Sequence, residues 1–282
     1  MDEKVIITAA LTGVATTRKQ CPYLPYTPEE IAEEAHRAYN AGATVVHIHA
    51  RENDGKPTHR LEVYEEIMNR TREKCPVINN FSTGTIGVPV EERIAHVRDI
   101  KPDIGALNMG SMNYAKFSAR DNKFHFDEVF ANPFKDIIKF LEAMNSRGIK
   151  PELECFDTGH IGNIDPLLKM GILKEPIQFS LILGVLGGIS PTTQNLCHMV
   201  SLLPKQSTWE VIGISHVQWR LIAAALSLGG NIRVGLEDNF YLNDQVMAKS
   251  NGELVEKAVR MTEDVGRKVA NINEARKILS LD

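Results

Sequence analysis

The chain of 282 residues has an ordinary globular composition, with 43% hydrophobic residues, 24% charged residues and a formal net charge of −4. Its length is that of one large α/β domain or two ordinary ones. The weak negative charge argues against non-specific binding to nucleic acid or to an anionic membrane surface, so any site for an anionic ligand must draw its positive charge locally.

Strand-like and helical segments alternate along the whole chain. Eight apolar, β-branched segments are predicted as buried strands: Val5–Ala10, Thr44–Ala50, Val77–Ser82, Ile104–Met109, Pro151–Phe156, Gln178–Leu183, Trp209–Ile214 and Asn231–Glu237. Helices are predicted near residues 28–41, 61–74, 90–100, from 133 onward, and near 165–170, 193–203, 217–228, 254–265 and 273–279. Residues 110–131 form a longer excursion without a helix.

The first helix has the clearest boundaries. Thr27 is its predicted N-cap, Pro28 takes the first helical position, Glu30 completes a capping box and Gly42 is the C-cap. Eight successive strand–helix units without a linker predict an α/β fold, a closed (β/α)8 TIM barrel, as a single domain over residues 1–282 with C-terminal helices. An open doubly wound sheet is the alternative, because a count of strands does not prove closure.

Two histidines, His47 and His49, lie two residues apart at the end of the second strand. Side chains alternate along a strand, so both project from the same face, about 7 Å apart. This spacing suits two ligands of one metal ion, although such pairs also occur as ordinary core or surface residues. The pair leads into the loop Arg51–Pro57. Because strand ends that feed loops carry the chemistry of α/β proteins, we favour a metal site.

Glu237 ends the eighth strand, which flanks the first strand in a closed barrel. It can approach the two histidines and complete a set of two histidines and one glutamate with an open fourth position, the arrangement of a catalytic zinc. The alternative is a rim carboxylate or a helix cap. Asp238 is expected to point elsewhere, free to act as a base.

Arg233, four residues before Glu237, is expected to point into the barrel below the metal. A buried guanidinium requires a carboxylate partner, and Glu152 and Glu154 of the fifth strand are the candidates. The pair can be a core ion pair that only rigidifies the barrel. It can equally hold Asp238 or polarise a substrate.

Two loops at strand ends are further candidates. Ser82, Thr83 and Gly84, after the third strand, can present hydroxyl and backbone N–H groups to a substrate carboxylate, or they can form a simple turn. Gly187 and Gly188, after the sixth strand, can admit the backbone of a cofactor, although the dinucleotide and P-loop spacings are absent.

Four further histidines divide into two groups. His36 and His96 are expected on exposed helix faces, whereas His160 and His216 follow strands and are expected near the mouth of the barrel.

The cysteines give no sign of a zinc knuckle or a disulfide scaffold, since they lie far apart and form no C-x-x-C pair. They are Cys21, Cys75, Cys155 and Cys197. The N-terminal residues lead into a strand too short for a signal sequence, and no apolar run approaches the ~18 residues of a membrane span. We therefore expect a reduced, cytoplasmic protein.

Seven motifs together make the sequence similar to the β-keto acid cleavage enzymes. They are T-A-A-L-T-G from Thr8, V-V-H-I-H-A-R-E-N-D-G from Val45, F-S-T-G from Phe81, A-L-N-M-G-S from Ala106, P-E-L-E from Pro151, L-G-V-L-G-G from Leu183 and R-V-G-L-E-D-N from Arg233. The resemblance covers essentially the whole chain. The H-x-H pair followed far downstream by R-x-G-x-E-D-N is its most specific part.

The resemblance implies a zinc-dependent barrel, usually a homotetramer, that converts a β-keto acid and acetyl-CoA into acetoacetate and a new acyl-CoA. His47, His49 and Glu237 then match the zinc ligands. The residues that match the binding and activation of the keto acid are Asp238, Arg233, Ser82 and one of Glu152 and Glu154, with Glu154 preferred. The implied chemistry is removal of an α-proton by Asp238, a Claisen addition to acetyl-CoA and a retro-Claisen cleavage, without a covalent enzyme intermediate.

One departure from the family pattern concerns the substrate. The member that acts on an amino substrate carries an acidic residue in the loop after the first strand, where it can hold an ammonium group. In this chain the corresponding loop, residues 12–17, has no acid, and Val14 and Ala15 stand at its centre. We therefore expect a β-keto acid without a cationic group.

Three other classes remain open on the residues alone. A lyase of the hydroxymethylglutaryl-CoA lyase type has its histidine pair on a late strand and an aspartate and arginine on the first strand, which here ends Thr8-Ala9-Ala10. An amidohydrolase places the pair on the first strand and requires further ligands near strands four to six, where only His160 is suitable. A non-catalytic binding barrel would lack both bound zinc and CoA transfer.

Overall fold

Eight parallel strands close into a barrel in the computed structural model of the protein, which describes residues 4–281. We number them β1 to β8 in chain order: Ile7–Ala10, Val45–Ile48, Ile78–Ser82, Ile104–Asn108, Lys150–Cys155, Gln178–Leu183, Thr208–Gly213 and Asn231–Val234. Each strand pairs with its neighbours in the chain, and β8 pairs with β1. The predicted closed (β/α)8 barrel is therefore confirmed. Residues 1–3 and 282, which the predicted domain includes, lie outside the described residues.

Ten α-helices are present in the described part of the chain, and most match the predicted segments within a few residues. They are α1 to α10: Pro28–Ala41, Leu61–Lys74, Val90–Ile100, Phe134–Arg147, Thr158–Gly162, Ile164–Lys169, Thr193–Ser201, Gln218–Ser227, Asn251–Asp264 and Ile272–Leu279. The predicted capping box of α1 is present, with Glu30 N donating to Thr27 Oγ1 and Thr27 N to the Glu30 carboxylate. None of the helices within residues 4–281 is long and apolar enough to cross a lipid bilayer.

The excursion after β4 is a β-hairpin. Its strands, Met112–Ser118 and Lys123–Phe130, pair antiparallel outside the barrel, and Ala115 N donates to the carbonyl of Leu186 at 3.3 Å. The hairpin is thereby fixed against the loop after β6. The predicted first strand is also divided, because Lys4–Val5 pairs with Lys268–Val269 and only Ile7–Ala10 enters the barrel.

The barrel interior contains a polar layer below the mouth. Glu210 of β7 accepts hydrogen bonds from Thr8 Oγ1 at 2.7 Å and from Ser180 Oγ at 3.1 Å. Glu152 of β5 accepts from Asn80 Nδ2 at 2.9 Å and from Gln178 Nε2 at 2.8 Å. Burial, followed by the neighbouring Glu152 carboxylate, raises the pKa of Glu210 to about 8. Buried acids of this kind are held protonated at neutral pH.

The raised pKa of Glu210 predicts how stability depends on pH. The stabilising effect of its proton is complete below the unfolded-state pKa of about 4.5 and is lost as the pH rises through about 8. Glu210→Gln keeps the size of the side chain and removes this loss. Between pH 5 and 8.5 we expect the free energy of unfolding to fall less in the variant, by on the order of 2 kcal/mol or more, in urea titrations.

Glu65→Gln is the matched control, because Glu65 lies on the exposed face of α2. This variant is expected to follow the pH dependence of the unsubstituted protein. Parallel curves for Glu210→Gln and the unsubstituted protein would show that Glu210 does not hold its proton.

Candidate active site

The three predicted metal ligands meet at the mouth of the barrel. His47 lies in β2, His49 directly follows it, and Glu237 follows β8, so β1 alone separates their strands. Glu237 Oε1 is 3.8 Å from His47 Nε2 and 3.5 Å from His49 Nε2. One ligand atom of each residue lies within 4.8 Å of the others. The structure therefore brings the three side chains together, while their role as metal ligands stays a prediction.

The chemistry of this donor set fits a divalent metal ion. His47 Nδ1 and Glu237 Oε2 are buried without a hydrogen-bond partner among residues 4–281. Burial, together with the nearby Arg233 guanidinium, keeps the pKa of His47 well below its usual value, so its imidazole is neutral, as a ligand must be. Two imidazole nitrogens and one carboxylate are a donor set that zinc accepts with one coordination position left open.

Arg233 is buried at the centre of the acidic mouth. Its Nε and Nη2 donate to the two carboxylate oxygens of Asp238 at 2.9 and 3.0 Å, and Nη2 also donates to Glu237 Oε1 at 2.8 Å. Its Nη1 lies 3.7 Å from Glu154 Oε1. Asp238 therefore does not stand free: a fork-to-fork ion pair with Arg233, one of the roles that the sequence left open for this guanidinium, fixes its orientation. Burial nevertheless raises the pKa of Asp238 above its usual value.

The two candidate acids of β5 occupy different depths. Glu154 faces Arg233, and burial raises its pKa to about 7. Glu152 is fully buried and hydrogen-bonded within the polar layer. Glu154 is therefore better placed for chemistry at the mouth, although its catalytic role stays a prediction.

The loop after β3 is held by helix α3. Ser82 Oγ accepts from Gly84 N at 3.1 Å, and Thr83 Oγ1 donates to the carbonyl of Ala106 at 2.6 Å. From α3, Arg93 Nε donates to the Thr83 carbonyl, and His96 Nε2 lies 2.8 Å from the Ser82 carbonyl oxygen. The expected exposure of His96 is therefore wrong. Ser82, Thr83 and Gly84 do lie at the mouth, while their binding role stays a prediction.

Asn108, at the end of β4, was not singled out from the sequence. Its side chain is buried, and neither its amide nitrogen nor its oxygen has a partner among residues 4–281. A Cβ added at Gly84 would lie 3.1 Å from Asn108 Nδ2 and 3.5 Å from Ser82 Oγ, so these groups share one corner of the mouth. Buried polar groups without partners are costly, which points to a ligand here. The available signal was an asparagine at the end of an otherwise apolar strand.

The two glycines predicted to bind a cofactor are packed against the protein's own backbone. A Cβ at Gly187 would overlap the carbonyl oxygen of Asn113, and one at Gly188 would lie 2.7 Å from the carbonyl oxygen of Phe156. Glycine is therefore required at position 187 to seat the hairpin and at position 188 to pack against Phe156, whatever else these residues bind. Contact with CoA at Gly187 and Gly188 stays a prediction.

The other histidines expected at the mouth differ in setting. His160 is buried and accepts a hydrogen bond from Phe156 N at Nδ1, 3.3 Å away. His216 is exposed and stacks on Tyr241 with ring centroids 5.1 Å apart.

A barrel with convergent acids, histidines and one guanidinium at the carboxyl ends of its strands defines a (β/α)8 enzyme with a candidate metal centre. The chain belongs to the β-keto acid cleavage enzyme family, since the sequence model of that family matches residues 4–281. This confirms the resemblance inferred from the sequence motifs.

Individual relatives agree with this assignment. A 3-keto-5-aminohexanoate cleavage enzyme of Fusobacterium nucleatum is 40% identical over 283 residues, covering 100% of this chain and 99% of the relative. A 3,5-dioxohexanoate:acetyl-CoA acetone transferase of Paraburkholderia graminis is 33% identical over 299 residues, covering 99% of this chain and 96% of the relative. The solved ternary complex of ObcA with a C4-CoA adduct and oxalate shares the fold, with a TM-score of 0.74 and 22% identity over 92% of this chain and 68% of ObcA.

We expect a large loss of stability when Arg233, the cation of this ion-pair cluster, is removed. Arg233→Met leaves the carboxylates of Asp238, Glu237 and Glu154 without their guanidinium, so we expect the free energy of unfolding of the metal-free protein to fall by about 3 kcal/mol. Urea titration in the presence of a chelator measures this. Arg70→Met is the control, because among residues 4–281 Arg70 forms ion pairs only at the surface, with Glu66 of α2 and Glu29 of α1, and its loss is expected to cost at most about 1 kcal/mol. Equal effects of the two substitutions would contradict the prediction.

Proposed function

We propose that this protein is a zinc-dependent enzyme that condenses a β-keto acid with acetyl-CoA and cleaves the product to acetoacetate and a new acyl-CoA. The observation that carries the proposal is the convergence of His47, His49 and Glu237 at the mouth, beside the clamped carboxylate of Asp238. Family membership supports the β-keto acid, and the name of the P. graminis relative supports acetyl-CoA as the second substrate. A homotetramer in the cytoplasm is the assembly and location we expect.

A bound zinc ion would act as a Lewis acid on the 3-keto oxygen and so acidify the neighbouring carbon. Asp238 is then the group that removes the proton from that carbon. Its raised pKa makes it a stronger base than an ordinary aspartate, while the Arg233 fork keeps both oxygens in a fixed orientation.

The opposite side of the mouth binds the substrate carboxylate in this proposal. Ser82 offers a hydroxyl group, and the Asn108 amide, which has no partner in the described part of the chain, offers a donor at the same corner. Thr83 contributes through the backbone only, since its hydroxyl is already bound to Ala106. Glu154, whose pKa is raised by burial, is placed to exchange a proton later in the reaction.

We further propose a substrate without a cationic group. The F. nucleatum relative is named for an amino substrate, but in this chain the loop after β1 places half-buried Val14 and exposed Ala15 next to Gly13, which packs on Glu237. The buried guanidinium of Arg51 lies behind this loop and adds positive charge. A neutral or apolar substituent suits these surroundings better than an ammonium group.

The first test distinguishes the role of the zinc ion from the role of Asp238 as the base. Acetoacetate formation from acetyl-CoA and a panel of β-keto acids is expected to stop on treatment with chelator and to return with zinc. His49→Ala is expected to lose both zinc and activity, whereas Asp238→Asn is expected to keep zinc and to lower kcat by about 100-fold or more. His36→Ala, a substitution on helix α1 away from the mouth, should leave both unchanged. Turnover that is insensitive to chelator, or full activity of His49→Ala, would refute the proposal.

The second test concerns the substituent of the keto acid. We expect higher kcat/KM for aliphatic 3-keto acids than for dehydrocarnitine or 3-keto-5-aminohexanoate. Ala15→Glu places a carboxylate in the loop and is expected to shift the ratio of kcat/KM values toward the cationic substrates by roughly five- to tenfold. Ala15→Gln is the neutral control and should not shift it. A preference of the unsubstituted enzyme for the cationic pair would reject the assigned substrate class.

A further inference from the structure

Arg51, two residues beyond His49, is a buried arginine that binds backbone instead of carboxylates. Its guanidinium donates four hydrogen bonds to carbonyl oxygens, through Nε to Gly13 at 2.9 Å, Nη2 to Thr12 at 3.1 Å, Nη2 to Thr16 at 2.9 Å and Nη1 to Gly55 at 2.8 Å. Three of these acceptors belong to the loop after β1. One side chain therefore fixes the path of this loop.

The burial of Arg51 restricts its hydrogen bonds to these backbone carbonyl groups. Its side chain is 1% exposed, and within residues 4–281 no carboxylate forms an ion pair with it. The ring of Tyr26 lies 5.2 Å from its guanidinium carbon. Burial lowers the pKa of Arg51 from its usual value. A buried cation without a direct ion pair is costly, and here the carbonyl dipoles of two loops, together with the charge of the nearby Glu237 carboxylate, compensate it.

The loop that Arg51 holds also contacts two of the candidate metal ligands. Gly13 has a φ of +61°, and a Cβ at this position would lie 2.6 Å from Glu237 Cγ, so the backbone of Gly13 packs directly on the Glu237 side chain. Thr12 Oγ1 donates to the His49 carbonyl at 2.7 Å and accepts from His49 N at 3.0 Å. The position of this loop therefore sets the positions of Glu237 and His49.

We propose that Arg51 is a positioning residue of the metal centre: it clamps residues 12–16 so that Gly13 and Thr12 hold Glu237 and His49 in the geometry that binds the ion. This inference rests on the metal centre of the proposed function. Groups that orient metal ligands typically change metal affinity 10- to 100-fold when removed. Lysine cannot replace Arg51, because an ammonium group lacks the planar fork that reaches several carbonyls at once.

Zinc affinity of the metal-free protein, measured in competition with a chromophoric chelator, tests the inference without relying on turnover. We expect Arg51→Lys and Arg51→Met to bind zinc roughly 10- to 100-fold more weakly than the unsubstituted protein. The visible spectrum of the cobalt-substituted Arg51→Lys variant is expected to differ as well, because the ligand geometry changes. Arg60→Met is the matched control: Arg60 is exposed and, within the described part of the chain, forms ion pairs only with Glu52 and Glu62, so zinc affinity should stay the same.

Thermal unfolding of the metal-free variants shows whether they fold. If neither Arg51 variant folds, Gly13→Ala tests the inference instead. Its methyl group displaces Glu237 at the contact between Gly13 and Glu237 and is expected to weaken zinc binding to a similar extent. Unchanged zinc affinity and an unchanged cobalt spectrum in the folded variants would overturn the inference alone. Absence of zinc binding in the unsubstituted protein would overturn the proposed function and this inference with it.

Discussion

The charge balance around one buried guanidinium governs the mouth of the barrel. Arg233 contacts Asp238 through two nitrogens and Glu237 through one, and Glu154 lies 3.7 Å from it. A single positive charge cannot neutralise three carboxylates where little water reaches them. The remaining negative charge is balanced either by protons, as the raised pKa values of Glu154 and Asp238 indicate, or by a divalent cation at the two histidines. This charge balance supports the proposed proton transfer and metal binding at the site.

The need to balance buried carboxyl groups also applies to the polar layer beneath the mouth. Glu152 and Glu210 occupy interior positions that a purely structural barrel fills with branched apolar residues. Each carboxyl is hydrogen-bonded by two neighbouring side chains, so its burial is tolerated, but apolar residues would stabilise the barrel at least as well. Stability alone therefore does not explain why acids occupy these positions. Burial raises the pKa of Glu152 to about 7 and that of Glu210 to about 8, so protons balance the charge of this layer below Arg233.

The sequence predicted the features that depend on periodicity and strand order. His47 and His49 share a face because the strand repeat is two, and Glu237 reaches them because barrel closure places β8 beside β1. The orientation of Asp238 could not be predicted, since it lies beyond the strand, where the alternation of faces no longer applies. The hairpin at 112–130 was equally hidden, because one face of it is exposed and its alternation is irregular. His96 was misplaced because a polar residue on a helix suggests exposure, whereas here it binds the Ser82 carbonyl.

In the loop after β1, the residues that contact the candidate metal ligands are not the residues that are expected to set the substrate preference. The carbonyls of Thr12, Gly13 and Thr16 are bound by Arg51, and the first two residues also contact the candidate metal ligands, so the backbone there has little freedom. Val14 and Ala15 lie between the clamped positions, and the Arg51 clamp does not bind their carbonyls. Side chains at these two positions can therefore change without moving the candidate metal ligands. In the proposed function, such a loop allows residues 14 and 15 to set the substrate preference while Thr12 and Gly13 keep Glu237 and His49 in place.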